Sequence, residues 1–205
     1  MTITTIRPAS KDYSRLSSDN LSDVILMVVL SIQQPWYAVG DQLKDVKRWG
    51  IGSKFIWGNK IKTYNFLMSR KDFIYSQYLA VLNSSKSDDD KALSLMNVFL
   101  QIDGLGLAKA GFVCQLTAGL VGCIDVHNIR MYNIPKKDLA FSKSIKSKAL
   151  KDKKISNYIS VCHTIGTENL WDTWCCSLAT KTKRFEDGFH VSKVHYDFLQ
   201  SAVNI

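Results

Sequence analysis

Residues 97–132 read NVFLQIDGLGLAKAGFVCQLTAGLVGCIDVHNIRMY, and the fold turns on how this stretch is parsed. Asn97–Gln101 closes an apolar helical run. Ile102–Gly106 is a tight turn with glycines two apart. Leu107–Thr117 then opens a second helix, with Leu107, Ala110, Cys114 and Thr117 recurring at helical spacing. Gly104 and Gly106 accept positive φ without Cβ strain, so the chain can reverse sharply and expose amide N–H groups. Those amides adjoin the unpaired first amides of the next helix, an arrangement that suits a phosphate. A bare Gly-x-Gly also fits an ordinary helical hairpin. The second feature is Ile124-Asp125-Val126-His127-Asn128-Ile129-Arg130, where Asp125 precedes a run in which Ile129 and Tyr132 share a face. That position predicts an N-cap whose carboxylate is held ionised by helix amides. A cap and nothing more is the alternative reading of the same aspartate.

The order of hairpin, helix and Asp-Val-His followed by Arg resembles the helix-hairpin-helix DNA glycosylases, the superfamily of endonuclease III, the adenine-specific mismatch glycosylase and 8-oxoguanine glycosylase. Gly104 and Gly106 match the family's hairpin glycines, Ala110 a small residue of the second helix, Asp125 the essential aspartate and His127 the histidine after it. Ser31-Ile32-Gln33-Gln34 is similar to the glutamine-bearing end of the family's early helix. The resemblance spans about residues 23–132. It implies an all-α, two-lobed helical fold with the active-site cleft between the lobes, the hairpin at 97–118 and a catalytic loop at 119–127.

The sequence also departs from that pattern. Asp103 stands where proline is usual, which puts a negative charge beside the phosphate site. Ala108 occupies the position of the Schiff-base lysine of bifunctional members. Lys109 comes one residue later, turned by about 100° on a 3.6-residue helix. The comparison therefore implies a monofunctional enzyme. The four-cysteine iron–sulfur loop of some members has no counterpart, and neither a metal nor another cofactor is expected.

Composition sets broader limits. The chain has 205 residues, 46% of them hydrophobic, enough for a substantial core behind a short arm at 1–20, with residues 21–205 as the helical domain. A formal net charge of +9 favours a polyanionic partner. The 5 cysteines lack any Cys-x-x-Cys pair and fit free thiols in a reducing compartment. The longest apolar run, Val24–Leu30, falls far short of the ~20 residues that span a bilayer, and Met1–Ser10 lacks the apolar core of a signal peptide. A soluble cytoplasmic monomer acting on double-stranded DNA is expected, in the host cytoplasm if the source is viral, with no membrane contact.

Along the chain, Asp23–Ile32 predicts a buried helix with Ser22 or Asp23 as its cap, broken at Pro35. Trp36, Val39, Leu43 and Val46 mark one face of a second helix ending at Gly50. Gln33, Gln34, Trp36 and Tyr37 thus gather at a helix junction. They can wedge into a duplex or line a pocket for an extruded base, or serve as core and turn residues. Phe55 and Trp57 among Lys54, Lys60 and Lys62 suit base stacking and phosphate contact, or a partly covered loop. Thr63–Leu82 predicts one or two helices with Phe66, Phe73, Tyr75, Tyr78 and Leu79 in the core. Ser87-Asp88-Asp89-Asp90 predicts a capped helix start rather than a metal site. Residues 136–154 hold eight lysines against two aspartates, a solvated face or a source of phosphate contacts. Helical stripes follow at Ile155, Tyr158, Ile159 and Cys162, and at Trp171, Trp174, Cys175 and Leu178. His190 and His195 fit surface or packing positions in the tail.

Three functions compete on this reading. In the first, hairpin amides around Gly104, Gly106 and Ala108 grip a DNA backbone, with Lys109, His127 or Arg130 adding phosphate contacts. Gln33, Gln34 and Trp36 fill the gap or touch the base, with Tyr37 beside the pocket. Asp125 stabilises oxocarbenium character on the sugar and orients or deprotonates water. The second keeps the fold but modifies a flipped base, as in the similar phage alpha-glutamyl/putrescinyl thymine pyrophosphorylases. The third is a non-catalytic hairpin module that binds DNA.

Overall fold

The computed structural model describes residues 16–32, 34, 38–171 and 173. Every element among them is helical: α1 (Ser18–Leu30), α2 (Val39–Trp49), α3 (Asn59–Leu82), α4 (Asp88–Leu100), α5 (Leu107–Thr117), α6 (Val126–Met131) and α7 (Lys148–Ile165), with short 3-10 turns at Gly50–Gly52 and Lys136–Leu139. A further helical segment begins at 167. The all-α expectation holds.

Helix α1 is apolar nearly all round, and a helix of that kind belongs in the interior. Leu21, Val24 and every residue from Ile25 to Leu30 are buried. It packs against α2, α3 and α5. Its start lies earlier than the sequence predicts. Ser17 is the cap, accepting the Asn20 amide at 3.1 Å. Ser22 is buried inside the helix, and Asp23 pairs with Lys47 at 2.7 Å. The early start adds a turn with Asp19 placed at the positive end of the helix.

Helix α2 buries Val39, Leu43 and Val46 as the periodicity predicts, together with Gln42. Gly50 then takes φ 57° and ends it. Helix α3 runs unbroken for 24 residues. Its inward stripe is Lys60, Thr63, Leu67, Ile74 and Tyr78, whereas Phe66, Tyr75 and Leu79 are half-buried and Phe73 is 49% exposed. Phe73 lies one position off the stripe, so its ring points outward.

Ser87 Oγ caps α4 by accepting the Asp90 amide, as predicted, and donates to Asp90 Oδ2 at 2.8 Å. Helix α4 packs against α3, α5 and α7, which leaves α5 enclosed on almost every side. Among the described residues no helix is long and apolar enough to cross a membrane, and no group of three or more His, Cys, Asp or Glu is placed to hold a metal ion.

Candidate functional site

The glycine turn joins α4 to α5, and its two glycines do different jobs. Gly104 has φ +88°, and a Cβ there would stand 2.3 Å from Thr63 Oγ1 and 3.0 Å from the Asn59 carbonyl. The turn is thus pressed onto the first turns of α3, where Thr63 Oγ1 donates to the Asp103 carbonyl at 2.6 Å. Gly106 differs from the expectation: its φ is −104°, an ordinary extended value, and a Cβ would meet nothing within 4 Å. Nothing among the described residues requires glycine at 106. Gly106 is the N-cap of α5 and has no side chain to bond its first amides, and among the described residues no other side chain caps them. Ala108 is half-buried in that first turn. Asp103 is exposed, and its charge acts on Lys143, whose ammonium donates to the Ile102 carbonyl at 2.5 Å. Burial is the larger influence on Lys143 and lowers its pKa, with Asp103 opposing.

Behind the turn, α5 carries the loop that ends at Asp125. A Cβ on Gly111 would lie 2.6 Å from the Gly122 carbonyl and 2.7 Å from the Tyr158 hydroxyl, so α5 and the loop touch backbone to backbone. Tyr158 Oη receives the Ile124 amide at 2.8 Å and donates to the Gly122 carbonyl at 3.0 Å. Gln115 Oε1 accepts the Cys123 amide at 3.0 Å, while Asn128 Nδ2 donates to the Cys123 carbonyl at 2.8 Å. Four of the six backbone N–H and C=O groups of residues 122–124 are thus bonded to a buried side chain. Burial raises the Tyr158 phenol well above its usual range and pushes the Cys114 and Cys162 thiols up to about 12.

Asp125 emerges from this fixed loop as the cap of α6, as the sequence predicts. Oδ1 accepts both the His127 amide at 2.9 Å and the Asn128 amide at 3.1 Å. Among the described residues no hydrogen bond or ion pair reaches Oδ2, and the residue is partly exposed. One oxygen of the carboxylate is therefore anchored and the other is available. His127 is half-buried, and Arg130 is exposed in the last turn of α6.

The third side is the C-terminal end of α1. Lys109 Nζ reaches Ser31 Oγ at 3.3 Å and lies over the Phe112 ring at 5.6 Å. Lys60, 3% exposed, donates to the Leu30 carbonyl at 3.2 Å and lies 4.8 Å from the Trp57 ring centre. Two lysines from different helices thus sit at the negative end of α1. Burial, reinforced by Lys109, lowers the pKa of Lys60. Burial likewise pushes the Cys123 thiol up, opposed by the Lys109 ammonium and assisted by the Asp125 carboxylate.

Gln34 is half-buried at the α1–α2 junction and accepts from Gln42 Nε2 at 3.2 Å. Gln33, Trp36 and Tyr37 lie outside the described residues. Trp57 is 45% exposed and adjoins the turn through α3, whereas Phe55 is half-buried against the core with Lys54 over its ring. The sequence pattern does not single out Tyr158, Gln115 and Asn128 as the clamp, nor Lys60 and Thr63 as the contacts of the corner. Compared with known proteins, the chain matches no family model, no curated protein and no solved structure.

Proposed function

We propose that the chain is a DNA glycosylase-like hydrolase, two-lobed in the manner of the helix-hairpin-helix enzymes, which acts on a base flipped out of double-stranded DNA. The observation that carries the reading is the Asp125 carboxylate. It is tied by one oxygen to α6 amides on a loop clamped against α5, the helix that begins with open amides at Gly106. In this reading the amides of Gly106–Lys109 take a phosphate, with Arg130 and His127 as further contacts. The free oxygen of Asp125 faces the sugar, where it stabilises positive charge as the C1′–N bond lengthens and orients the attacking water. Gln34 is the residue assigned to fill the vacated stack, a role the sequence pattern extends to Gln33, Trp36 and Tyr37.

Ala108 at the start of α5 supplies no amine, and Lys109 is engaged with Ser31, so the reaction is written as hydrolysis without a lyase step. No cofactor enters it. The test is incubation with duplexes carrying uracil, oxidised, alkylated or 5-modified pyrimidines. Abasic sites that form with the wild type and vanish in Asp125→Asn support the proposal. A mass change on the base without abasic sites transfers the chain to base modification on the same scaffold. Salt-sensitive binding indifferent to Asp125→Asn, with no product, leaves a binding module.

A further inference from the structure

A groove of about 750 Å³ opens between the C-terminal half of α3, the outer face of α4 and the segment leading into α7. Its floor is apolar, with Val81, Val98 and Ile145, and its rim carries Lys146, Lys148 and Lys151. Among the described residues, no acidic side chain lines it. The nearby Asp152 is already engaged, by Lys148 at 2.6 Å and by Asn97 at 3.0 Å. On the wall, Gln101 Nε2 donates to Gln77 Oε1 at 3.0 Å, which leaves the Gln77 amide N–H groups and the Gln101 carbonyl for a partner. An apolar face, a donor–acceptor edge and one-signed positive charge match the base, base edge and phosphate of a nucleotide.

The groove also has a fixed relation to the glycine corner. Gln101 caps the C-terminus of α4 and directly precedes Ile102, whose carbonyl receives Lys143 from the segment that bears the lysine rim. We infer that this groove is a second nucleic-acid contact, holding a nucleotide of the strand that flanks the corner. A continuous strand fits it better than a free small molecule, because the groove is open and runs up to the turn. The inference rests on the reading of the turn as a DNA grip, but it does not need Asp125 to be catalytic.

Two variants test it by different means. Lys146→Gln with Lys151→Gln removes two cations, and Ala80→Trp, at an exposed position of α3, fills the groove at constant charge. Duplex affinity is measured by fluorescence anisotropy across a salt series. The double variant is expected to bind about tenfold more weakly at low salt. Its slope of log K against log salt should be shallower by about 1.8, the amount that two fewer neutralised phosphates require. Ala80→Trp is expected to weaken binding several-fold with both proteins folded by circular dichroism. Wild-type-like binding by Ala80→Trp, or an unchanged salt slope in the double variant, overturns the groove while leaving the corner intact. A wild type that binds no DNA overturns both readings. Displacement of labelled duplex from the groove by a mononucleotide at equal phosphate concentration overturns the strand assignment.

Discussion

Replacing each turn glycine by alanine separates what folding needs from what a ligand needs. At Gly104 the native φ of +88° costs a non-glycine residue about 1–3 kcal/mol. The new Cβ, 2.3 Å from Thr63 Oγ1, also breaks the bond from Thr63 to the Asp103 carbonyl, a further loss of about 1 kcal/mol. The sum is about 2–4 kcal/mol. For a chain of this size 1 kcal/mol moves Tm by about 2–4 °C, so Gly104→Ala should melt about 4–16 °C lower. At Gly106 the φ of −104° is open to alanine and no atom lies within 4 Å of the Cβ. A few tenths of a kcal/mol from restricting the unfolded chain offset a slightly poorer cap, so Tm should move by less than about 2 °C. On the proposed reading the same methyl would stand where a phosphate approaches the α5 amides, and a loss of about 1.4 kcal/mol in binding is tenfold in Kd. Calorimetry and duplex titration on the two variants give the answer. A destabilised Gly106→Ala would refute the geometry, and a stable Gly106→Ala with unaltered DNA affinity would refute the role of the corner.

Other substitutions probe the surroundings. Tyr158→Phe strips the Ile124 amide of its buried partner and should cost about 1–3 kcal/mol in denaturant unfolding, against near-neutrality if the loop can reach water. Gln42 is 3% exposed and its Oε1 has no partner among the described residues, while its Nε2 donates to Gln34; Gln42→Leu removes the unpaired acceptor at the cost of that one bond and should stay within about 1 kcal/mol of wild type, and a larger fall would show that the amide is satisfied in solution. Asp125→Asn keeps an acceptor at the cap and should stay within about 0.5 kcal/mol of wild type, whereas Asp125→Ala should lose about 1 kcal/mol. Burial holds the Cys114 and Cys162 thiols neutral up to about 12, against an unfolded value of 9.0, and raises Cys123 in the same direction. Above pH 9.0 the unfolded chain therefore binds fewer protons than the native one. The stability is complete below that pH and is lost progressively as the pH rises toward 12, by about 1.4 kcal/mol per pH unit for each thiol. Alkaline unfolding curves of Cys114→Ala and Cys162→Ala should be flatter than the wild type's.

The parts that the sequence displayed openly are those written in short-range chemistry. Ser87 and Asp125 cap their helices through amides two or three residues away, and Gly104 bends the chain at its own φ. The face of α2 at Val39, Leu43 and Val46 follows from spacing alone, whereas α5 is buried nearly all round and its predicted stripe is only part of what it buries. The errors have equally local causes. Ser22 and Asp23 look like caps, but Ser17 starts the helix one turn earlier; and a helix stripe one residue out of phase puts Phe73 in solvent. Tyr158 showed itself only as one more apolar position of α7. Its hydroxyl meets residues 34 to 36 positions earlier, a pairing that periodicity does not encode. The same holds for Lys60, which looks like a surface lysine until α1 is packed against α3. Gly106 carries the opposite lesson, since its type suggests a conformation that it does not adopt.

The backbone contact between Gly111 and Gly122, sealed by Tyr158, leaves the segment ahead of Asp125 without slack. A side chain mounted that way cannot swing to meet a reactant. On the proposed reading all the travel falls to the nucleic acid, and turnover should track how easily a nucleotide leaves its stack. Mispaired or bulged targets would then react faster than well-paired ones bearing the same lesion.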